Sequence, residues 1–206
     1  MVSVRRGFLF ITFLIVLAGC SHNVPLRQSM MLTDPPEPKM DKKILVVIPK
    51  EQAELIIRHK PDPLADTYVF AGGPALKNTL VSVLNQVFQE VGFAHSAEGA
   101  AFDYDYAVAV NFRSHTVKLN IYTGNVVTLG VDYTVKDKKG KELLSLPTDV
   151  SSKDRYSGGE LAGALLGGAF ANISKMKQSS GAAWDQATVN TIGMFLDKLL
   201  ILVKES

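Results

Sequence analysis

Along the chain the apolar positions change period several times, and each change predicts an element. Residues 8 to 18 are apolar almost without a break, a run too short to cross a bilayer as a helix, which takes roughly 20 such residues. Residues 21 to 42 show no sustained period and carry Pro25, Pro35, Pro36 and Pro38, the composition of an extended, semi-rigid tether. Ile44-Leu45-Val46-Val47-Ile48 is a continuous apolar run stopped by Pro49, which predicts a strand buried on both faces. Residues 51 to 58 fit neither period, and Thr67 to Phe70 predict a short strand before Gly72-Gly73-Pro74. From there Leu76, Leu80, Val83, Leu84, Val87, Phe88 and Val91 recur at steps of three and four, one face of a helix. Pro74 suits its first turn and Gly92 the position just past its end. Lys77, Asn78, Asn85, Gln86 and Glu90 then make the polar, outward face.

Period two follows. Large side chains alternate through Tyr104 to Phe112, again through His115 to Thr123, and again through Val127 to Val135. Asp137-Lys138-Lys139-Gly140 predicts a turn and Glu142 to Leu146 one more strand. Trp184, Ala187, Ile192, Phe195, Leu196, Leu199, Leu202 and Val203 predict a long closing helix. The order strand, helix, strands, helix reads as an α+β fold, a mostly antiparallel sheet with helices packed on one face. It predicts one domain over residues 43–206, preceded by a signal segment, 1–19, and a tether, 20–42.

The first of these segments has the layout of a secretory leader: Arg5 and Arg6, the apolar run, then the small pair Ala18-Gly19. Leu17-Ala18-Gly19-Cys20 resembles the lipobox of bacterial lipoproteins. That resemblance implies that the Cys20 thiol takes a diacylglycerol, that the chain is cut between Gly19 and Cys20, and that the new amino group is acylated. It also implies retention at the outer membrane, in a cell that has one, because Ser21 and not aspartate follows the cysteine; the domain is read as facing the periplasm. Cys20 is the single cysteine of the 206 residues, so the domain has no internal disulfide, although the compartment would permit one. Removing residues 1–19 takes away Arg5 and Arg6 and leaves 20 basic and 20 acidic residues. A charge-balanced chain offers no field to gather nucleic acid.

No catalytic constellation is visible, and the chain reads as a non-enzyme that needs no cofactor besides the lipid on Cys20. His22, His59, His95 and His115 lack metal-ligand spacing. There is no Gly-x-Ser-x-Gly elbow and no phosphate-binding Gly-x-x-x-x-Gly-Lys. Asp103 and Asp105 share a strand face in register terms and raise the possibility of paired carboxylates, against the plainer reading of a solvated strand entry. Gly159, Gly163 and Gly167 recur every four residues, a stripe that lets a helix approach another closely. Glycine weakens a solvated helix by up to about 1 kcal/mol relative to alanine, so such a stripe calls for packing on the domain's own sheet, a loop, self-association or contact with a bilayer interface.

Beyond the lipobox, residues 44–203 are similar in layout to the YajG-type lipoproteins and, more loosely, to the CsgG and TolB N-domain group. The likeness rests on the strand Ile44 to Ile48, the helix Ala75 to Val91 ending at Gly92, the strand opening Asp105-Tyr106-Ala107-Val108, the turn Asp137 to Gly140, and the closing helix. It implies a non-enzymatic envelope protein, an accessory or assembly subunit that binds another envelope protein or itself. A periplasmic lipid or glycan carrier, with its cavity between helix and sheet, is the alternative. An envelope hydrolase lacks a visible nucleophile and base.

Overall fold

The computed structural model describes residues 20–62, 65–98, 100, 103–120, 122–154 and 168–205. In chain order its elements are β1 Ser21–Val24, β2 Met40–Val47, α1 Lys50–Ala53, β3 Ile57–His59, β4 Thr67–Phe70, α2 Gly72–Val87, β5 Phe88–Ala94, β6 Tyr106–Lys118, β7 Asn125–Asp137, β8 Glu142–Asp154 and α3 Gly168–Glu205. Residues 1–19, the expected signal segment, and the glycines 159, 163 and 167 lie outside the described residues.

Two sheets form. The larger has the order β5-β2-β6-β7-β8 and the smaller β1-β4-β3. In the larger, β2 is parallel to both β5 and β6, whereas β6, β7 and β8 run antiparallel. The sheet is therefore mixed, not mostly antiparallel as the sequence suggested. Alternation fixes which face a side chain takes but not the direction of the neighbouring strand. Direction follows from connectivity: α2 carries the chain back along the sheet before β5 joins β2, and that return makes the pair parallel.

One face of the large sheet is covered by α2 and α3. Val46, Val108, Val110, Leu129, Val131, Tyr133 and Val135 on that face share a core with Leu76, Leu80, Val83 and Leu84 of α2 and Trp184, Phe195 and Leu199 of α3. Tyr133 stacks on Phe195 with ring centroids 4.4 Å apart. The layer between α3 and the sheet is thus filled by large side chains. In β2, Ile44, Leu45 and Val46 are all fully buried, in keeping with a strand covered on both faces.

Three boundaries differ from the sequence expectation. The helix does not run to Val91. It stops at Val87, Phe88 turns to extended backbone, and β5 begins at once. Val91 and Gly92 pair with Ile44 and Leu45, because the free edge of β2 satisfies their backbone groups where one more helical turn would not. The two alternating runs at 104–112 and 115–123 are largely one strand, β6. Arg113 is an extra residue between the pairs Phe112–Val131 and Ser114–Gly130. That bulge shifts the inward phase from even positions to odd, which is why the sequence reads as two strands.

The third difference concerns the tether. Ser21–Val24 form β1, parallel to β4, with Val24 buried and Ser21 and Asn23 exposed. Leu26, Met30 and Leu32 pack against the core behind it. The first part of the expected tether is therefore built into the fold, since its sparse apolar residues recur just often enough to bury one side of an extended segment. The Asp137 turn forms as read: its carboxylate accepts the amides of Lys139 and Lys141, and Gly140 takes the positive φ of 79° that the turn needs.

Candidate lipid-attachment site

Cys20 stands exposed at the start of β1. Its position is fixed through its backbone. The amide of Cys20 donates to Asp66 Oδ1 at 3.0 Å, and its carbonyl accepts the Thr67 amide at 2.9 Å. The second carboxylate oxygen of Asp66 lies 2.9 Å from His22 Nε2, and the His22 ring sits 5.9 Å from that of Tyr68. His22 falls within the expected tether, and Asp66 within the loop before β4. Together they form the seat of the N-terminal segment. The thiol itself points to a reactive role only through its exposure, the condition for accepting a diacylglycerol.

Past β1 the segment crosses α2 and α3 as a strap. The Arg27 amide donates to Asp185 Oδ1 at 2.8 Å. Thr79 Oγ1 donates to the Arg27 carbonyl, and Asn78 Nδ2 to Gln28 Oε1. Gln86 grips two residues at once: its Nε2 donates to the Met30 carbonyl at 2.6 Å and its Oε1 accepts the Leu32 amide at 2.8 Å. Pro25 lies so close to α3 that a Cβ on Gly181 would stand 2.6 Å from the Pro25 carbonyl oxygen. Asn78, Thr79, Ser82 and Gln86 follow helical spacing on the flank of α2. Asn78 and Gln86 belong to the polar face that the sequence pattern turns outward, and Thr79 and Ser82 join them under the strap.

Half-burial of Asp185 pushes its carboxyl above the usual range, offset in part by the Arg27 amide and charge. The folded state then holds a proton more tightly than the unfolded chain. The cost of burying the charge is absent below the unfolded value of 3.8 and fully present above the raised folded value. Asp185→Asn keeps an oxygen for the Arg27 amide and removes the charge. We expect it to unfold at a higher urea concentration than the wild type at neutral pH, with the difference closing as the pH falls below 3.8. A difference that stays constant with pH would rule out this origin.

The other residues singled out in the sequence are dispersed. Asp103 pairs with Lys138 at 2.7 Å, and its hydrogen bond and charge hold the Asp103 carboxyl below the usual range. Asp105 Oδ2 instead accepts the Lys43 amide at 2.9 Å. The two do not form a carboxylate dyad. His95 Nδ1 meets the Ile48 carbonyl at 3.0 Å, His59 is half-buried with its pKa lowered by desolvation, and His115 is exposed on β6.

The face of the large sheet turned away from α2 and α3 carries a concavity of about 660 Å³ beside Val47, Ala109, Asn111 and Pro147. The bulge turns Arg113 into it, where Nε donates to Asp132 at 3.1 Å and an Nη to Asp149 at 2.8 Å. This exposed network fixes a polar surface and adds little stability. Among the described residues, one helical segment, Ile173–Glu205, is long and apolar enough to cross a membrane by length and composition. Its Trp184, Phe195 and Leu199 are spent on the domain's own core.

No protein-family model matches the chain, and no curated protein matches it. A minor lipoprotein from Acinetobacter baumannii is 12% identical, over 75% of this chain and 90% of that one, at a TM-score of 0.37, and a likeness so slight carries no argument. Protein XCC0632 from Xanthomonas campestris, of the family model DUF330, is 13% identical over 91% of this chain and 98% of that one at a TM-score of 0.57, so the chain shares its fold with that protein.

Proposed function

We propose that the chain is a lipid-anchored protein of the bacterial envelope, held at the outer membrane by Cys20, and that it acts as a non-catalytic accessory or assembly subunit. The observation that carries the reading is the place of the sole cysteine. It is exposed, it directly precedes the first strand, and it directly follows an apolar run ending in Leu17-Ala18-Gly19. Lipid is the one modification that uses all three features. Two or more acyl chains on one residue give stable attachment where a single chain gives marginal, reversible binding.

A partner, either another envelope protein or a second copy, finds two surfaces suited to it. One is the exposed part of the large sheet around Arg113. The other is β8, a 13-residue edge strand. Pro147 withholds an amide there, and Glu142, Asp149 and Lys153 are exposed along it, which discourages indiscriminate strand pairing and leaves contact to a shaped partner.

Intact mass of the protein extracted from membranes tests the anchor. The expected species begins at Cys20 and carries diacylglycerol and an N-acyl chain, and Cys20→Ser lacks both. Replacing residues 1–20 by an ordinary cleaved secretory leader is expected to move more than nine-tenths of the protein, on the order of tenfold, into the soluble fraction. A wild-type mass equal to that of the unmodified polypeptide would refute the reading.

A further inference from the structure

Resting on the lipid-anchored reading, we propose that the anchor has no slack: the residue bearing the lipid is clasped on the folded body, and a phospholipid surface lies against the end of the small sheet that carries it. Lipoprotein domains on free tethers stand off from the bilayer. A 22-residue extended segment here would allow roughly 70 Å of reach. The structure instead fixes Cys20 at both backbone groups, through Asp66 and Thr67. It continues the hold through β1 and through the grip of Gln86, Thr79 and Asp185 on residues 27–32.

The processed form keeps the same donor. Cleavage before Cys20 exposes an amine, and acylation converts it back to a secondary amide with one N–H. That N–H has the partner the peptide amide has now, Asp66 Oδ1. The clasp therefore survives maturation with its hydrogen-bond count unchanged.

The geometry also says which part of the surface meets the headgroups. β4 begins at Thr67 beside Ser21, and β3 runs antiparallel to it, with His59 opposite Tyr68. The turn that follows β3 emerges at the same end as Cys20, and Lys60, Pro61 and Asp62 are exposed on it. These residues suit the polar headgroup layer and not the hydrocarbon. A folded chain of this size has a radius of gyration of about 16 Å, so a partner would be met close to the membrane and not across the periplasm.

The test uses the full lipidated protein in phosphatidylethanolamine–phosphatidylglycerol vesicles. With the Cys20 thiol acylated, a dye on Lys60→Cys is attached at one site, and energy transfer to a headgroup-labelled lipid reports its height. Three forms are compared: the parent, Asp66→Ala, and an insert of about ten Gly and Ser residues between Cys20 and Ser21, which restores a flexible tether. Transfer in the parent is expected to be at least twice that of the insert form, with Asp66→Ala falling between them. In the parent, the amides of His22 and Val24, which face β4, are expected to exchange with solvent at least tenfold more slowly than in an unfolded chain. Equal transfer in parent and insert forms, or free exchange at His22 and Val24 in acylated protein, would overturn the clasp while leaving lipidation intact. Absence of acyl mass would remove the lipid reading itself and this proposal with it.

Discussion

Trp184→Ala is expected to lose about 3–5 kcal/mol of stability, a large share of the roughly 5–15 kcal/mol a domain of this kind holds. Trp184 is fully buried and is the only tryptophan of the chain. Its ring stacks on Phe70 of β4 with centroids 5.5 Å apart and planes at 27°. Its far edge sits against α2, where a Cβ on Gly72 would come within 2.5 Å of it. One side chain of α3 thus joins the small sheet to the start of α2, and alanine would leave a void bordered by three elements that cannot all move inward. Trp184→Phe keeps an aromatic face for Phe70 and should cost clearly less. The variants are compared by far-UV circular dichroism in urea, since the mutation removes the fluorophore. A loss below about 1 kcal/mol for Trp184→Ala would show that the three elements do not depend on this contact.

The second large effect is at Gly73, in the first turn of α2. In an exposed helix, Gly→Ala stabilises by about 0.5–1 kcal/mol. Here a Cβ would lie 2.1 Å from the Gln52 carbonyl oxygen, 2.6 Å from the Leu55 nitrogen and 2.9 Å from the Ala53 carbonyl carbon. All three are backbone atoms of the turn around α1, and the Gly73 amide donates to the Leu55 carbonyl at 3.0 Å. No rotamer relieves such a contact, so the turn or the helix must shift. Gly73→Ala is therefore expected to destabilise by about 2 kcal/mol, in the range of other overpacked sites. Gly193 of α3 is the matched control. A Cβ there meets nothing within 4 Å, and Gly193→Ala should stabilise by up to about 1 kcal/mol. If both substitutions moved the urea midpoint in the same direction, the close approach of α1 to α2 would be wrong.

These contacts bear on the proposed anchor as well. β4, held by Trp184 through Phe70, is the strand on which β1 and Cys20 are seated. Damage at position 184 should loosen the N-terminal segment together with the core, whereas Asp66→Ala should loosen the segment alone. That difference separates a global loss of stability from a local release of the clasp, and amide exchange at His22 and Val24 reads it directly.

Much of this architecture can be read from single residues and their spacing. The buried run Ile44–Ile48, the short strand Thr67–Phe70, the apolar stripe of α2, the Asp137–Gly140 turn and the Trp184–Val203 helix all follow from local rules, because burial on one face leaves a periodic mark wherever an element is long. The proposed anchor at position 20 rests on a local signal of the same kind, a lone cysteine after Ala-Gly. The tertiary structure decided the rest. Whether β5 was helix or strand depended on an unpaired edge of β2 more than 40 residues away in the chain. The parallel direction of β2, β5 and β6 came from the path of the connections, and the single strand β6 from a bulge that a period count mistakes for a break. The fate of residues 21–32 was the least legible. Their hold depends on Asp66, Gln86, Gly181 and Asp185, each a long way along the chain from the segment it receives. Polar contacts between distant residues carry no period, so only folding brings them together.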